Sequence, residues 1–264
     1  MRRRRRTRAM RPLNANDRTT PRSSDAPSRD VPELAVALAG HLRESMADVK
    51  PHLRGWLHLG TVPLTIAAGV VLVVLSPNAT ARTGSAVFMA SALVLFGVSA
   101  AYHCGTWSPR ARRMLRRLDH CNIFVLIAGS CTAAALLLLD GTERTVLLVM
   151  VWSSAALGVG ARFLWPDAPR WLSPPVYVGC GLGAVVFFPD FVDGATRLGD
   201  AGVAALVLLS VGSALYIVGA VVYGLRRPDP WPKWFGFHEV FHTFTVFAFA
   251  AHYIGISAAT YALR

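Results

Sequence analysis

Seven long apolar runs dominate the chain, at 56–75, 84–103, 119–139, 145–164, 172–188, 202–224 and 238–261, and short stretches rich in Gly, Pro or charge separate them. A helix needs about 20 apolar residues, and no fewer than about 17, to cross the hydrocarbon of a bilayer, and every run reaches that length. Lipid offers no water to unpaired backbone groups, so runs of this kind are predicted to be helices. The connectors SPNATART, DGTER and WPDAPRW are short enough to make successive helices antiparallel neighbours in one bundle. The expected fold class is all-α, a seven-transmembrane-helix bundle built from residues 53–264.

Ahead of the first run the pattern changes. Residues 31–50 (VPELAVALAGHLRESMADVK) set apolar positions at helical spacing among polar ones, which predicts an amphipathic surface helix over 31–52. Residues 1–30 show no such period and read as a disordered basic tail.

Composition agrees with the bilayer as solvent: 53% of the 264 residues are hydrophobic and 16% charged, against roughly a quarter charged in a soluble domain. The net charge of +12 is concentrated, with Arg2 to Arg6, Arg8, Arg11, Arg18 and Arg22 in the first 22 residues. These arginines lack interleaved aromatics that would stack on bases, so no nucleic-acid partner is expected. Membrane lipids are the expected partner, each Arg near an anionic surface adding about 1 kcal/mol of attraction. The adjacent arginines resemble an export signal, but the first apolar run begins only at Trp56, too late for the core of a cleaved leader. Met10 would serve as a start as well as Met1.

Orientation follows from loop charge, because cytoplasmic connectors carry the excess of Lys and Arg. Segments 104–118, 165–171 and 225–237 hold nine such residues, and the alternating segments 76–83, 140–144 and 189–201 hold three. The tail joins the nine. The N-terminus is therefore predicted to be cytoplasmic and Arg264 outside, in a multi-pass protein of the cell membrane. Cys104, Cys121, Cys131 and Cys180 form no CxxC pair and read as small apolar residues without disulfides. Gly179, Gly181 and Gly183 would permit close helix packing.

Ionisable residues are costly inside a membrane and are usually retained for function. His103 ends the second run, Asp119 and His120 begin the third, and His238, Glu239 and His242 begin the seventh, so all lie at one depth. His238 and His242, four apart, share a helix face. Zinc takes imidazole nitrogen readily, and catalytic zinc commonly has three protein ligands and an open fourth position. His103, His238 and His242 are the candidate metal ligands. Asp119 is the candidate general base for water whose pKa the metal lowers toward about 7. Ser99, one turn before His103, could bond that water, Asp119 or a substrate oxygen. His41, His52, His58, His120 and His252 are read as ordinary interfacial residues bonded to headgroups. The string HEVFH also fits HExxH of metalloproteases, where the Glu is the base, although His103 and Asp119 already supply a third ligand and a base.

The stretches SAAYHCGTWSPRARRMLRRLDHCNIFVLIAGSCT at 99–132 and HEVFHTFTVFAFAAHY at 238–253 combine SxxxH, a DH after a basic loop, and HxxxH. In that combination the chain resembles the haemolysin III family, within the wider progestin and adipoQ receptor (PAQR) family, from about residue 50 to its end. The resemblance implies seven helices with the N-terminus inside, and Ser99, His103, Asp119, His238 and His242 as a zinc site. Cys131 and Ala133 depart from the tyrosine and proline of an SYTP-like string. Loss of that proline should straighten the third helix locally, and loss of the tyrosine removes a hydroxyl from the cavity.

Two functions follow as expectations. One is zinc-dependent hydrolysis of a lipid amide or ester, since the family resembles a larger set of membrane hydrolases that includes ceramidases. The other is a non-enzymatic receptor-like or cytolytic protein in which a structural zinc staples helices two, three and seven. The family name implies lysis, but the sequence holds no amphipathic pore-forming segment.

Overall fold

Side-chain caps and prolines set where the helices begin. Asn78 accepts the N–H of Ala81 at 2.9 Å, and Ser108 accepts that of Ala111 at 3.3 Å with Pro109 opening the first turn, a position where its missing N–H costs nothing. The computed structural model describes residues 53–165 and 172–264, all within the unit Val49–Arg264. The expected basic tail, the surface helix over 31–52, His41, His52 and most of the WPDAPRW turn lie outside the described residues.

Among the described residues seven helices are long and apolar enough to cross a membrane: α1 (Trp56–Val74), α2 (Ala79–Cys104), α3 (Pro109–Leu138), α4 (Gly141–Leu164), α5 (Ser173–Arg197), α6 (Gly199–Leu225) and α7 (Phe237–Tyr261). No strand occurs among the described residues. Several helices begin a few residues ahead of their apolar runs, α2 at Ala79 and α4 at Gly141 among them, and two boundaries differ by more. The Ser108–Pro109 start makes Arg110 to Arg117 part of the opening turns of α3, where a loop to residue 118 was expected. Helix α5 runs nine residues beyond 188, because Pro189 sits in a first turn and starts a helical segment instead of ending one. A 3₁₀ stretch, Gly183–Phe187, links the two α-helical parts of α5. Helix α3 runs unbroken past Cys131 and Ala133.

Hydrogen bonds gather the helix ends at two levels. At one end Leu53 donates to the Trp234 carbonyl at 3.3 Å, Arg54 pairs with Glu239 at 2.9 Å, and Tyr177 donates to the His120 carbonyl at 3.3 Å. Arg110 to Arg117, Arg226, Arg227 and Lys233 belong to this basic end. At the opposite end Arg264 donates to the Leu75 carbonyl at 2.9 Å, and Arg197 reaches the Leu138 carbonyl and Asp140 at 3.3 and 3.0 Å.

Helix α3 is central: 72% of its most apolar stretch is buried, against 11% for α5. Phe88, Phe96, Phe124, Leu138, Leu147 and Phe249 fill the core around it. Gly129 lets α3 approach Ser91 of α2, and Gly194 lets α5 approach the Leu138 carbonyl, with no room for a Cβ at either position. Within the chain Gly183 packs against Met150, and Gly179 and Gly181 face open space. Outward faces carry Leu64, Leu157 and Val186, each at least 70% exposed, as suits contact with lipid. Trp56, Trp107, Trp231 and Trp234 lie exposed at the basic end, where indole favours a membrane–water interface.

Candidate metal centre

Helices α2 and α7 deliver the cluster. His103 is the penultimate residue of α2 and His238 the second of α7; His242 follows one turn later on the same face. Each of the three rings offers one nitrogen, and these atoms lie within 4.8 Å of one another. Ring centroids are 4.9 Å apart for His103 and His238, 5.3 Å for His103 and His242, and 4.5 Å for His238 and His242. His238 Nε2 and His242 Nδ1 are buried and accept or donate no hydrogen bond. A buried ring nitrogen without a partner costs about 1–3 kcal/mol, and a metal ion removes that cost for several at once. The three histidines could hold such an ion.

Asp119 enters from the third turn of α3, with Oδ2 3.8 Å from His103 Nε2. That gap is too long for a hydrogen bond and suits an intervening atom. Ser99 lies one turn before His103, buried, with its hydroxyl turned to the Asp119 carboxylate. Ser99, Asp119, His238 and His242 line one cavity of about 40 Å³, room for roughly two or three water molecules. The structure therefore brings together all five residues singled out in the sequence.

Glu239 does not join them. Its side chain is fully buried, one oxygen accepting from Arg54 at 2.9 Å and the other from the Gly236 N–H at 2.8 Å. Both oxygens are committed to capping α7 and anchoring Arg54, which leaves HEVFH without the free carboxylate a metalloprotease base requires.

Two histidines differ from their expected interfacial role. His252 is buried and donates from Nε2 to the Leu209 carbonyl at 3.0 Å, tying α7 to α6. His58 is buried in the cavity wall, its ring stacked on His242 at 3.8 Å between centroids and 14° between planes. The signal for His58 was the buried stripe His58, Thr61, Thr65 and Gly69 along α1, small or polar residues at helical spacing in an otherwise apolar run. His120 donates to the Arg116 carbonyl of its own helix at 2.6 Å. All four cysteines are free thiols.

The segment before α1 closes over the site. Gly55, at φ 89°, packs against the Cβ of His103 and the Sγ of Cys104, and the Cys104 thiol points to the Arg54 carbonyl at 3.9 Å. Together with the bonds of Leu53 and Arg54 to Trp234 and Glu239, this forms a short strap across α2 and α7.

Residues 46–253 match the family described as Haemolysin-III related. A "Hemolysin-3 homolog" from Bacillus subtilis (strain 168) is 31% identical over 217 residues, 80% of this chain and 91% of that protein. "Hemolysin-3" of Bacillus cereus is 26% identical over 81% of this chain and 90% of its own length. An "Adiponectin receptor protein" from Drosophila melanogaster is 28% identical over 64% of this chain, which spans 41% of the receptor. Matched over most of its length, and carrying the histidine cluster on α2 and α7 of a seven-helix membrane bundle, the chain belongs to the haemolysin III family, within the wider PAQR group.

Proposed function

We propose that this protein is a zinc-dependent membrane hydrolase whose substrate is a lipid amide or ester. The observation that carries the reading is the meeting of three buried imidazoles within 4.8 Å, with the Asp119 carboxylate 3.8 Å from one of them. The donors suit zinc: three imidazole nitrogens, with the nearby Cys104 thiol turned toward a backbone carbonyl. Zinc–nitrogen bonds of about 2.0–2.1 Å place tetrahedral ligands roughly 3.3 Å apart, a modest contraction of the observed cluster. Bound there, zinc would supply a Lewis acid that polarises a carbonyl and acidifies water beside it.

The protein's own groups carry the rest. His103, His238 and His242 would hold the ion, beside the cavity that Asp119 lines. Asp119 takes a proton from water at Oδ2 and returns it to the departing nitrogen or oxygen. Ser99 Oγ donates to the carbonyl oxygen or to the Asp119 carboxylate. In the orientation that the loop charges support, the N-terminus is cytoplasmic, Arg264 is outside, and the site lies near the inner leaflet of the cell membrane.

A second reading, a structural zinc in a receptor-like protein, is favoured by the small cavity, about 40 Å³, which takes water but not an acyl amide without movement of its walls. Elemental analysis of the purified protein in mild detergent separates the possibilities. About one zinc per chain, lost in His103→Ala and in His238→Ala/His242→Ala, supports the metal site, whereas well-folded wild type without zinc removes both readings. Given the zinc, turnover of a lipid amide that disappears in Asp119→Asn supports the hydrolase, and a full set of lipid amides and esters left intact supports the structural role.

A further inference from the structure

The polar atoms of the cavity are not all assigned by that reading. His58 is 2% exposed, and neither of its ring nitrogens has a hydrogen-bond partner. Neutral imidazole carries one N–H donor and one acceptor, so burial leaves both capacities unmet, at a cost of about 1–3 kcal/mol for each. Apolar packing alone would select Phe or Leu at this position. The ring is not arranged as a fourth metal ligand: it lies nearly parallel to His242 at 3.8 Å, so the in-plane lone pairs of the two rings do not converge on one point. Its edge meets Phe96 at 5.0 Å. His58 shares the cavity wall with Ser99 and Asp119, on the flank of the metal cluster.

We propose that His58 is a binding residue of this site: its ring braces His242, and its N–H hydrogen-bonds an oxygen acceptor, such as an amide or ester carbonyl, that enters the cavity. The proposal rests on the metal reading above. Stacking fixes the plane of His242 and so the direction of its nitrogens. The N–H supplies a donor from α1, on a different wall from Ser99 of α2. A carbonyl oxygen approaching the three histidines is thereby held from two sides.

The test uses the full chain in lipid nanodiscs, loaded with Co(II) in place of zinc so that its d–d absorption reports the ligand geometry, with acetohydroxamate as an oxygen-donor probe. Wild type is compared with His58→Phe, which keeps a ring and loses the nitrogens, and with His58→Asn and His58→Gln, which place an amide N–H near the former Nδ1 or Nε2. His58→Leu replaces the Phe variant if that one is not recovered folded. The expected result is that the Phe variant binds Co(II) with an unchanged spectrum but holds acetohydroxamate about tenfold more weakly. The Asn or Gln variant recovers the probe to within about threefold of wild type, while binding Co(II) less tightly for want of the stack. Unchanged probe affinity in the nitrogen-free variant, or no recovery in either amide variant, reduces His58 to packing and overturns the proposal alone. Wild type that takes up no metal overturns the proposal together with the metal reading.

Discussion

Three residues at or beside the site make separable predictions. Asp119→Asn keeps the shape of the carboxylate and removes its basicity, so hydrolysis should fall by about 10²–10⁴ with bound zinc retained. Glu239→Gln should do the opposite, leaving turnover near wild type while lowering the melting temperature, because the loss falls on the Arg54 pair and the α7 cap; breaking such a buried pair costs roughly 3 kcal/mol. A protease-type base at Glu239 would reverse the two results. Gly55→Ala is the third. A left-handed backbone costs an L side chain about 1–2 kcal/mol, and a Cβ there would collide with His103, so zinc content should drop in elemental analysis along with thermal stability. His103, Asp119, His238 and His242 were legible in the sequence because charge and imidazole stand out in apolar runs and common depth follows from alternating direction. His58 was not, since the stripe of Thr61, Thr65 and Gly69 marks an inward face of α1 but not what that face meets, and its stacking partner is 184 residues away.

Between elements, close approach at glycine does what side-chain interlocking does elsewhere. Gly212 of α6 sits against the His252 ring and the Ala248 carbonyl of α7. Gly212→Ala should force these helices apart, destabilise the bundle by about 1–3 kcal/mol in detergent unfolding, and weaken the bond from His252 to Leu209. The apolar runs identified all seven helices, because a bilayer requires both length and apolarity. They misplaced the start of α3 and the end of α5, for a common reason: a helix continues beyond the hydrocarbon wherever capping and backbone allow, and hydropathy is blind to that. Ser108, Pro109 and Pro189 held the missing information as local capping chemistry. At Gly179 and Gly181 composition shows the capacity for close approach, and the rotation of α5 leaves both facing open space within the chain.

For the molecule as a whole, the loop charges make a prediction about sidedness. Alkaline phosphatase fused after Arg264 should be active outside the cell and a fluorescent protein fused there dark, with the reverse for fusions in the 225–237 connector; the opposite pattern would invert the topology and move the site to the outer leaflet. The strap formed by Leu53, Arg54 and Gly55 has a mechanical consequence. Its fastenings to Trp234, Glu239 and His103 are the first points of the described fold to carry any tension applied through the preceding chain. A pull on that chain would load the anchorage of α7 and the seat of His103 before it disturbed the apolar core, so the same tag or tether would perturb metal retention at the N-terminus and spare it at Arg264.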